Sequence, residues 1–534
     1  VVLIKKMVMS RLDEILEKLP ARHFSYVIKE NVDTVLTPQY RMAYGLNFFY
    51  LYIEYPDNNS IARERAYQFG DGIMLIIAKQ MENNEDAIQY YELAFSEHGN
   101  NDYNFPGVFF SGINLNRIFV DASPLIKFET HEENLKLGFE LLVPWQELKP
   151  LHPFINDSIG INVLFTKGDD DPEKFTRYEI IHEERIPFTK RKYASYEFSK
   201  PTDSPHNQFE IFTREGHIFK GDSLHLNIVS SFSEMQNDTV NLIFNKSNEQ
   251  MAGFIECPVS FSRGTQVQVE SVLPEIDYAG SYSIAFESQI SGQKQAEQKI
   301  TVFPSFDNTE IVDKLDALKE SISIRTYHTM KFLSKELDES LSDLNYYEYG
   351  ESEYNKTIDL LAMIDKIDDN IDPFENQRGF MRKAYRSAFD ESLQPYVVYL
   401  PEDYSPEKAY PLFVFLHGSD MDETSFIEAR VLIPSGFIGL CPLGRGKSNG
   451  FNIENAQVDI NESIMATIDQ YAIDQDNIIL AGFSMGGYGV LRTHFETPDR
   501  FKGLILLSGG PNMGVVYSGE HYAPNFLNEK NLEV

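Results

Sequence analysis

Cysteine is nearly missing from this sequence: among 534 residues only Cys257 and Cys441 carry a thiol. Two cysteines so far apart make neither a disulfide framework nor a zinc motif, and both are expected as buried free thiols. Tryptophan is scarcer still, present only as Trp145. The twelve histidines fall in no HExxH or comparable ligand spacing, so no structural metal is expected and no cofactor is implied. No apolar run approaches the roughly 20 residues that span a bilayer. Basic residues are outnumbered 47 to 81, leaving a formal net charge of −34. A field of that sign repels phosphate backbones and argues against nucleic-acid binding, while it fits a solvated acidic surface or a neutral substrate. The opening stretch, VVLIKKMVMSRLDEILEKLP, places charges where the apolar core of an export signal would continue. The chain starts on Val1 rather than Met and is expected to be a fragment at this end. Cytoplasm and export within a longer precursor both stay open, as does the oligomeric state.

What the sequence does have is ample core material, 42% hydrophobic and 13% aromatic. At this length it is expected to divide among several cores. Residues 20–200 read as strands between polar turns. LNFFYLYIEYPDNNS is a β-prone run closed by a Pro-Asp-Asn turn, and YQFGDGIMLIIAKQ follows with a Gly-Asp-Gly turn before another apolar strand. NLKLGFELLVPWQELKP and SIGINVLFTKGD continue the pattern, which predicts a β-sandwich. The strand entering a Pro-Trp-x-x-Leu corner, GFELLVPWQEL (138–148), and the following DSIGINVLF (157–165) resemble carbohydrate-binding module family 9 and DOMON-like sandwiches. That resemblance implies a ligand clamped by aromatic rings, often paired tryptophans. Here Trp145 sits in the structural corner, so Tyr50, Tyr52, Tyr55 and Tyr67 are the aromatic faces left for such a role. Packing within the sheet is the competing use of them.

A Pro/Ser/Asp-rich stretch near 198–207 marks a linker. Short β-prone runs at even spacing over 206–304 predict an immunoglobulin-like sandwich acting as a spacer. From Asn308 the period changes. Ile311, Leu315 and Leu318 share one helical stripe, and NKTIDLLAMIDKIDDNIDP repeats the pattern, so 305–375 is expected to be a helical connector.

The last segment, 376–534, alternates apolar strands with helical stretches, as an α/β domain does. YPLFVFLHG (410–418) is a strand ending in His-Gly, GFIGLCPLGRG (436–446) another ending in a Gly-rich turn, and AQVDINESIMATIDQYAID a helix. DNIILAGFSMGG then runs into a Gly-x-Ser-x-Gly pattern, with YGVLRTHFE as the helix after it. Gly482 and Gly486 are the small positions that let a chain turn sharply from strand to helix, and Gly487 eases close packing. The serine between them, Ser484, is then held exposed above the sheet as a candidate nucleophile. An acyl-transfer site also needs two donors for the developing oxyanion. The backbone N–H of Met485 is expected to be one, and that of Ser419 or its neighbour the other. His417 is expected to shape its loop rather than act as a base.

Together LQPYVVYLPEDY, YPLFVFLHGSD, PLGRGKSNGF, YAIDQDNIILAGFSMGGYG and FKGLILLSGG resemble α/β-hydrolase esterases of the polyhydroxybutyrate-depolymerase and feruloyl-esterase type, and also prolyl-oligopeptidase-like hydrolases. The resemblance implies a serine hydrolase of esters, carbohydrate- or polymer-linked ones included, or of peptides. It also implies an acid and then a histidine following the serine in the chain. His494 falls ten residues into the helix after Ser484, Asp499 lies in a structural turn, and His521 comes too early for the family's histidine. Truncation is therefore expected, with the acid and histidine beyond Val534 and a sheet edge left incompletely covered. The expected fold class is thus multidomain: an N-terminal β-sandwich, an Ig-like β-sandwich, a helical connector and an incomplete α/β-hydrolase domain. The rival expectation is a binding or adhesion protein with an inactive hydrolase domain.

Overall fold

The computed structural model describes Val2–Leu3 and residues 19–509, less 31–35, 62–69, 79–89, 97–106, 112–117, 122–125, 183–191, 199–207, 345–347, 429–432 and scattered one- or two-residue positions. The described residues are rich in β-sheet and form two compact units, Val1–Ser305 with Asp343–Tyr354, and Phe306–Ser342 with Asn355–Val534. The helical stretch 305–375 is shared out, most of it going with the α/β segment.

In the first unit, period-2 alternation places apolar residues between two sheets. Phe139, Leu141 and Val143 of Lys136–Pro144 lie in register opposite Ile53, Leu51 and Phe49 of Phe48–Tyr55 in a six-stranded sheet. Ile161 and Val163 pair with Ile77 and Leu75 in an eight-stranded sheet. All of these side chains meet in one buried core, so this part is a sandwich. Trp145 closes its corner, 1% exposed, with its indole N–H donating to the Gly45 carbonyl at 3.1 Å.

A second sandwich packs the three-stranded sheet of Gln208–Thr213, Leu224–Phe232 and Gly264–Val272 against a five-stranded one from His217–Phe219 to Met251–Phe261. Ile211, Leu226, Ile228, Val240, Leu242, Phe244 and the free thiol Cys257 fill the core between them. The two sandwiches are joined by a buried junction. Lys149 Nζ donates to Thr213 Oγ1 at 2.5 Å, and the His152 ring stacks on Phe212 at 5.1 Å. Residues 343–354 complete this unit: His217 Nδ1 donates to the Glu348 carbonyl at 2.7 Å, and the Phe303 ring packs edge-on against Tyr354.

The second unit begins with helix α1 (Asn308–Ala317), N-capped by Asp307, whose carboxylate accepts from the N–H groups of Thr309 and Glu310. Ile311 and Leu315 are buried and Leu318 packs on the same cluster, together with Met330 and Leu337 of α2 (Ile324–Asp343) and Leu360 and Ile364 of α3 (Glu351–Asp368). The bundle is tied to a mixed sheet. Thr329 Oγ1 of α2 accepts from the Ala384 N–H at 3.0 Å on strand β1 (Gly379–Arg386).

The remaining strands are β2 (Leu393–Leu400), β3 (Tyr410–Leu416), β4 (Ile438–Pro442), β5 (Ile473–Phe483) and β6 (Gly503–Leu507). Their order in the sheet is β1-β2-β4-β3-β5-β6. β1, β2 and β4 pair antiparallel, whereas β4, β3, β5 and β6 run parallel. Leu412, Val414 and Leu416 of β3 enter one core and Phe413 and Phe415 the other. A strand covered on both faces must read as a continuous apolar run, and YPLFVFL does. Helices α4 (Glu454–Ile468) and α5 (Met485–Glu496) follow β4 and β5. No helix among the described residues is long and apolar enough to cross a membrane.

Candidate active site

The parallel register sets Leu416 of β3 beside Gly482 of β5. Both strands therefore end at the same level. The chain leaves β5 at Phe483, turns at Ser484, and enters α5 at Met485. Ser484 has φ +51° and ψ −112°, a backbone state that costs a non-glycine residue about 1–3 kcal/mol. Packing imposes it: a Cβ on Gly482 would lie 2.2 Å from the Gly486 carbonyl oxygen, and one on Gly486 would lie 1.9 Å from that of Leu416. The start of α5 is thus seated directly on the end of β3, which only glycine allows.

Hydrogen bonds fix the turn on both sides. The Ser484 N–H donates to the Leu507 carbonyl of β6 at 2.8 Å, and the Ser484 carbonyl accepts from the Gly487 N–H at 3.0 Å. The first N–H groups of a helix have no intrahelical acceptor. Among the described residues, those of Met485 and Gly486 make no hydrogen bond, and neither does the Ser484 hydroxyl. The turn therefore presents a half-buried hydroxyl next to open donors at the positive end of a helix.

The loop after β3 adjoins this turn, since a Cβ on Gly418 would lie 3.2 Å from the Phe483 ring. Ser419 is exposed, its hydroxyl is 3.0 Å from that of Ser448, and its backbone N–H makes no hydrogen bond among the described residues. His417 is fully buried. Its Nδ1 lies 2.8 Å from the Gly418 carbonyl and its Nε2 2.9 Å from that of Leu443, so both ring nitrogens are engaged with backbone. These contacts tie the loop after β3 to the loop after β4. His494 lies near the C-terminal end of α5, its ring 5.7 Å from that of Phe495, and Asp499 is exposed in the turn before β6. His521 falls outside the described residues. Among the described residues, no group of three or more histidine, cysteine or acidic side chains is arranged to hold a metal ion.

The stretch PLGRGKSNGF was noted in the sequence, but not its place beside the Ser484 turn. The loop 443–451 after β4 lies against both Ser419 and Met485: Ser448 meets Ser419, and the Gly450 N–H donates to Met485 Sδ at 3.3 Å. This loop is anchored from beneath by Asp459 of α4, which is fully buried and accepts the Gly444 N–H at 2.7 Å and the Tyr385 hydroxyl. Burial pushes the Asp459 carboxyl up to about 6 against the opposing pull of those two donors and of Arg445. Arg445 donates in turn to Asp390 at 2.6 Å and Ser387 at 2.6 Å.

In the first unit, the tyrosines suggested as aromatic faces are packed away. Tyr50 is fully buried and reaches Glu140 at 3.3 Å, while Tyr52 is 8% exposed and stacks on His131. Tyr55 is 6% exposed and lines a cavity of about 270 Å³ with Asp57, Asn59 and Lys167. Tyr67 lies outside the described residues.

No family model matches the chain. Among solved structures, the chain is similar to the ferulic acid esterase AmCE1/Fae1A of the anaerobic fungus Anaeromyces mucronatus, at 23% identity and a TM-score of 0.23, over 25% of this chain and 59% of that one. It is also similar to FphF, a fluorophosphonate-binding serine hydrolase of Staphylococcus aureus, at 22% identity and a TM-score of 0.22, over 25% and 58% of the two chains. A family 9 carbohydrate-binding module of Caldicellulosiruptor kristjanssonii, solved with cellotriose, matches at 9% identity and a TM-score of 0.29, over 38% of this chain and 95% of that one. The chain thus spans 58–60% of the length of the first esterase and hydrolase structures it matches.

Proposed function

We propose that this chain is a serine hydrolase of carboxylic esters that works through an acyl-enzyme on Ser484. The observation that carries the proposal is the strained Ser484 backbone at a strand-to-helix turn, with its hydroxyl beside the open N–H groups of Met485 and Gly486. In the first step the Ser484 Oγ forms a bond to the ester carbonyl carbon and gives its proton to a base. The carbonyl oxygen becomes an oxyanion, which the N–H of Met485 and that of Ser419 stabilise. Each such donor contributes a factor of about 10²–10³ in rate. The oxyanion then collapses, the bond to the alcohol breaks, and the alcohol leaves with the proton from the base. Water repeats the sequence on the acyl-serine and releases the acid.

The base and the carboxylate that orients it are assigned outside the described residues. Esters carried by carbohydrates or polymers are the substrate class that suits a hydrolase preceded by two sandwiches. The test is labelling by a fluorophosphonate probe together with p-nitrophenyl acetate hydrolysis. In the full-length protein, wild type is expected to label and turn over, and Ser484→Ala to do neither; equal labelling of the two would overturn the reading. The second reading, a binding protein with an inactive hydrolase fold, is favoured by one observation. No described histidine or carboxylate makes a hydrogen bond with the Ser484 hydroxyl. It predicts no Ser484-dependent labelling.

A further inference from the structure

We propose that Asp459 is a positioning residue for the Ser484 site, holding the loop 443–451 against Met485 and Ser419 through the Gly444 backbone. The inference rests on the esterase reading above and names a residue on which that site depends.

The loop is an unlikely shape for a chain to hold unaided. Two bulky residues, Arg445 at φ +64° and Phe451 at φ +53°, sit in the left-handed region alongside Gly444 at φ +65°. Such states persist only where surrounding bonds over-determine them. Four hydrogen bonds supply that constraint. Asp459 Oδ2 accepts the Gly444 N–H at 2.7 Å, the Asn449 side-chain amide donates to the Gly444 carbonyl at 2.5 Å, and Asn449 Oδ1 accepts the Phe451 N–H at 2.9 Å. Gln457 of α4 donates to the Phe451 carbonyl at 2.7 Å. The Phe451 ring is wedged where a Cβ on Gly444 would sit and packs 5.1 Å from the His417 ring.

From this frame the loop makes three contacts toward the site. The Leu443 carbonyl accepts from His417, the Ser448 hydroxyl meets Ser419, and the Gly450 N–H reaches the Met485 sulfur. Both candidate oxyanion donors therefore lean on one loop, and Asp459 is the fully buried charge beneath it. A carboxylate of that kind is tolerated only where donors converge on it. The titratable and charged groups facing it are Tyr385 from β1, Arg445 from the loop with Nε at 4.0 Å, and Glu462 from its own helix. Tyr385 and Arg445 favour the ionised form, and Glu462 opposes it.

Asp459→Asn keeps the shape but removes the charge facing Arg445 and replaces one acceptor by a donor, so either the Gly444 N–H loses its acceptor or the Tyr385 hydroxyl must turn from donating to accepting. In this respect it imitates the protonated acid. The wild-type carboxylate ionises near pH 6, so the two proteins should differ above that pH and converge below it. The experiment measures the rate of fluorophosphonate labelling from pH 5 to 8.5 for wild type, Asp459→Asn, Asn449→Ala, Tyr385→Phe and Ser484→Ala in the full chain. The expected result is at least a tenfold slower rate for Asp459→Asn at pH 8, with the ratio to wild type closing toward one as pH falls below 6. Taking a ratio cancels the titration of any base common to both. A purely structural loss would lower the melting temperature and leave the ratio flat with pH. Asn449→Ala loosens the same loop from a half-buried position and should slow labelling with a ratio flat in pH; if Asp459→Asn does not fold, Tyr385→Phe carries the test, since losing that donor raises the Asp459 carboxyl and should slow labelling most between about pH 6 and 7. Wild-type rates in Asp459→Asn and Asn449→Ala at pH 8, or an Asp459→Asn ratio that does not change with pH, would overturn the positioning role. Wild type labelling no faster than Ser484→Ala would instead overturn the esterase reading itself.

Discussion

Arg382, half-buried, pairs with the buried Glu423, with Nη2 at 2.7 Å and Nε at 2.8 Å from the same carboxylate oxygen. The guanidinium also forks onto Glu336 of α2, so a single side chain on β1 links the helical bundle to the segment that follows Ser419. Glu423 is fully buried, and removing its cation leaves a charge in the interior. Arg382→Met is expected to cost about 3–5 kcal/mol. Glu423→Gln introduced into that variant should recover part of the loss. Denaturant unfolding of the two variants measures both effects.

Replacing Gly486 tests the seat of the helix. A methyl group 1.9 Å from the Leu416 carbonyl oxygen must push α5 off β3, because the atom it meets is backbone. Gly486→Ala is expected to lose about 1–3 kcal/mol and with it the reactivity of Ser484. Calorimetry and probe labelling read the two losses separately.

The backbone of Ser484 supplies an opposite prediction. Glycine relaxes at φ +51° and alanine does not. Both Ser484→Gly and Ser484→Ala are expected to abolish labelling, but the glycine variant should be the more stable by about 1 kcal/mol. Equal melting temperatures would show that the turn stores no strain.

Lys149 gives a pH dependence. Burial at the junction of the two sandwiches lowers its ammonium to about 8, against the pull of Glu147 and Glu215. Between about pH 8 and the ordinary lysine range near 10.5 the unfolded chain binds the extra proton, so wild-type stability rises with pH across that window. Lys149→Met has no such term. Its stability relative to wild type should be highest at pH 7 and fall steadily toward pH 10.5, as urea titrations at several pH values would show.

Local steric rules made the Ser484 turn legible in the sequence: glycines at 482, 486 and 487 around one serine, between an apolar run and a helix, leave few other shapes. The runs holding Leu51, Ile53, Leu141 and Val143 were legible as strands, but not their buried face, because Tyr50 and Glu140 on the other side are buried as well. The anchoring of the loop was not legible. Tyr385, Arg445 and Asp459 are far apart in the chain, and in an acidic sequence an aspartate on a helix reads as solvated surface. Only the fold converts it into a buried acceptor. Thr329 is similar: nothing in its neighbours tells that it caps a strand at Ala384. The tyrosines at 50, 52 and 55 were ambiguous for a different reason, since a ring that binds and a ring that packs follow the same alternation.

The excursion of residues 343–354 into the first unit has a consequence for biosynthesis. The ribosome delivers both sandwiches before it delivers Glu348, so His217 waits for its carbonyl partner while α1 and α2 are made. Glu348 follows His217 by 131 residues, so at roughly 5–20 residues per second that wait lasts on the order of ten seconds. For this chain, the order of translation and the order of completion differ: the first unit is the earlier to begin and cannot be finished until part of the second has emerged.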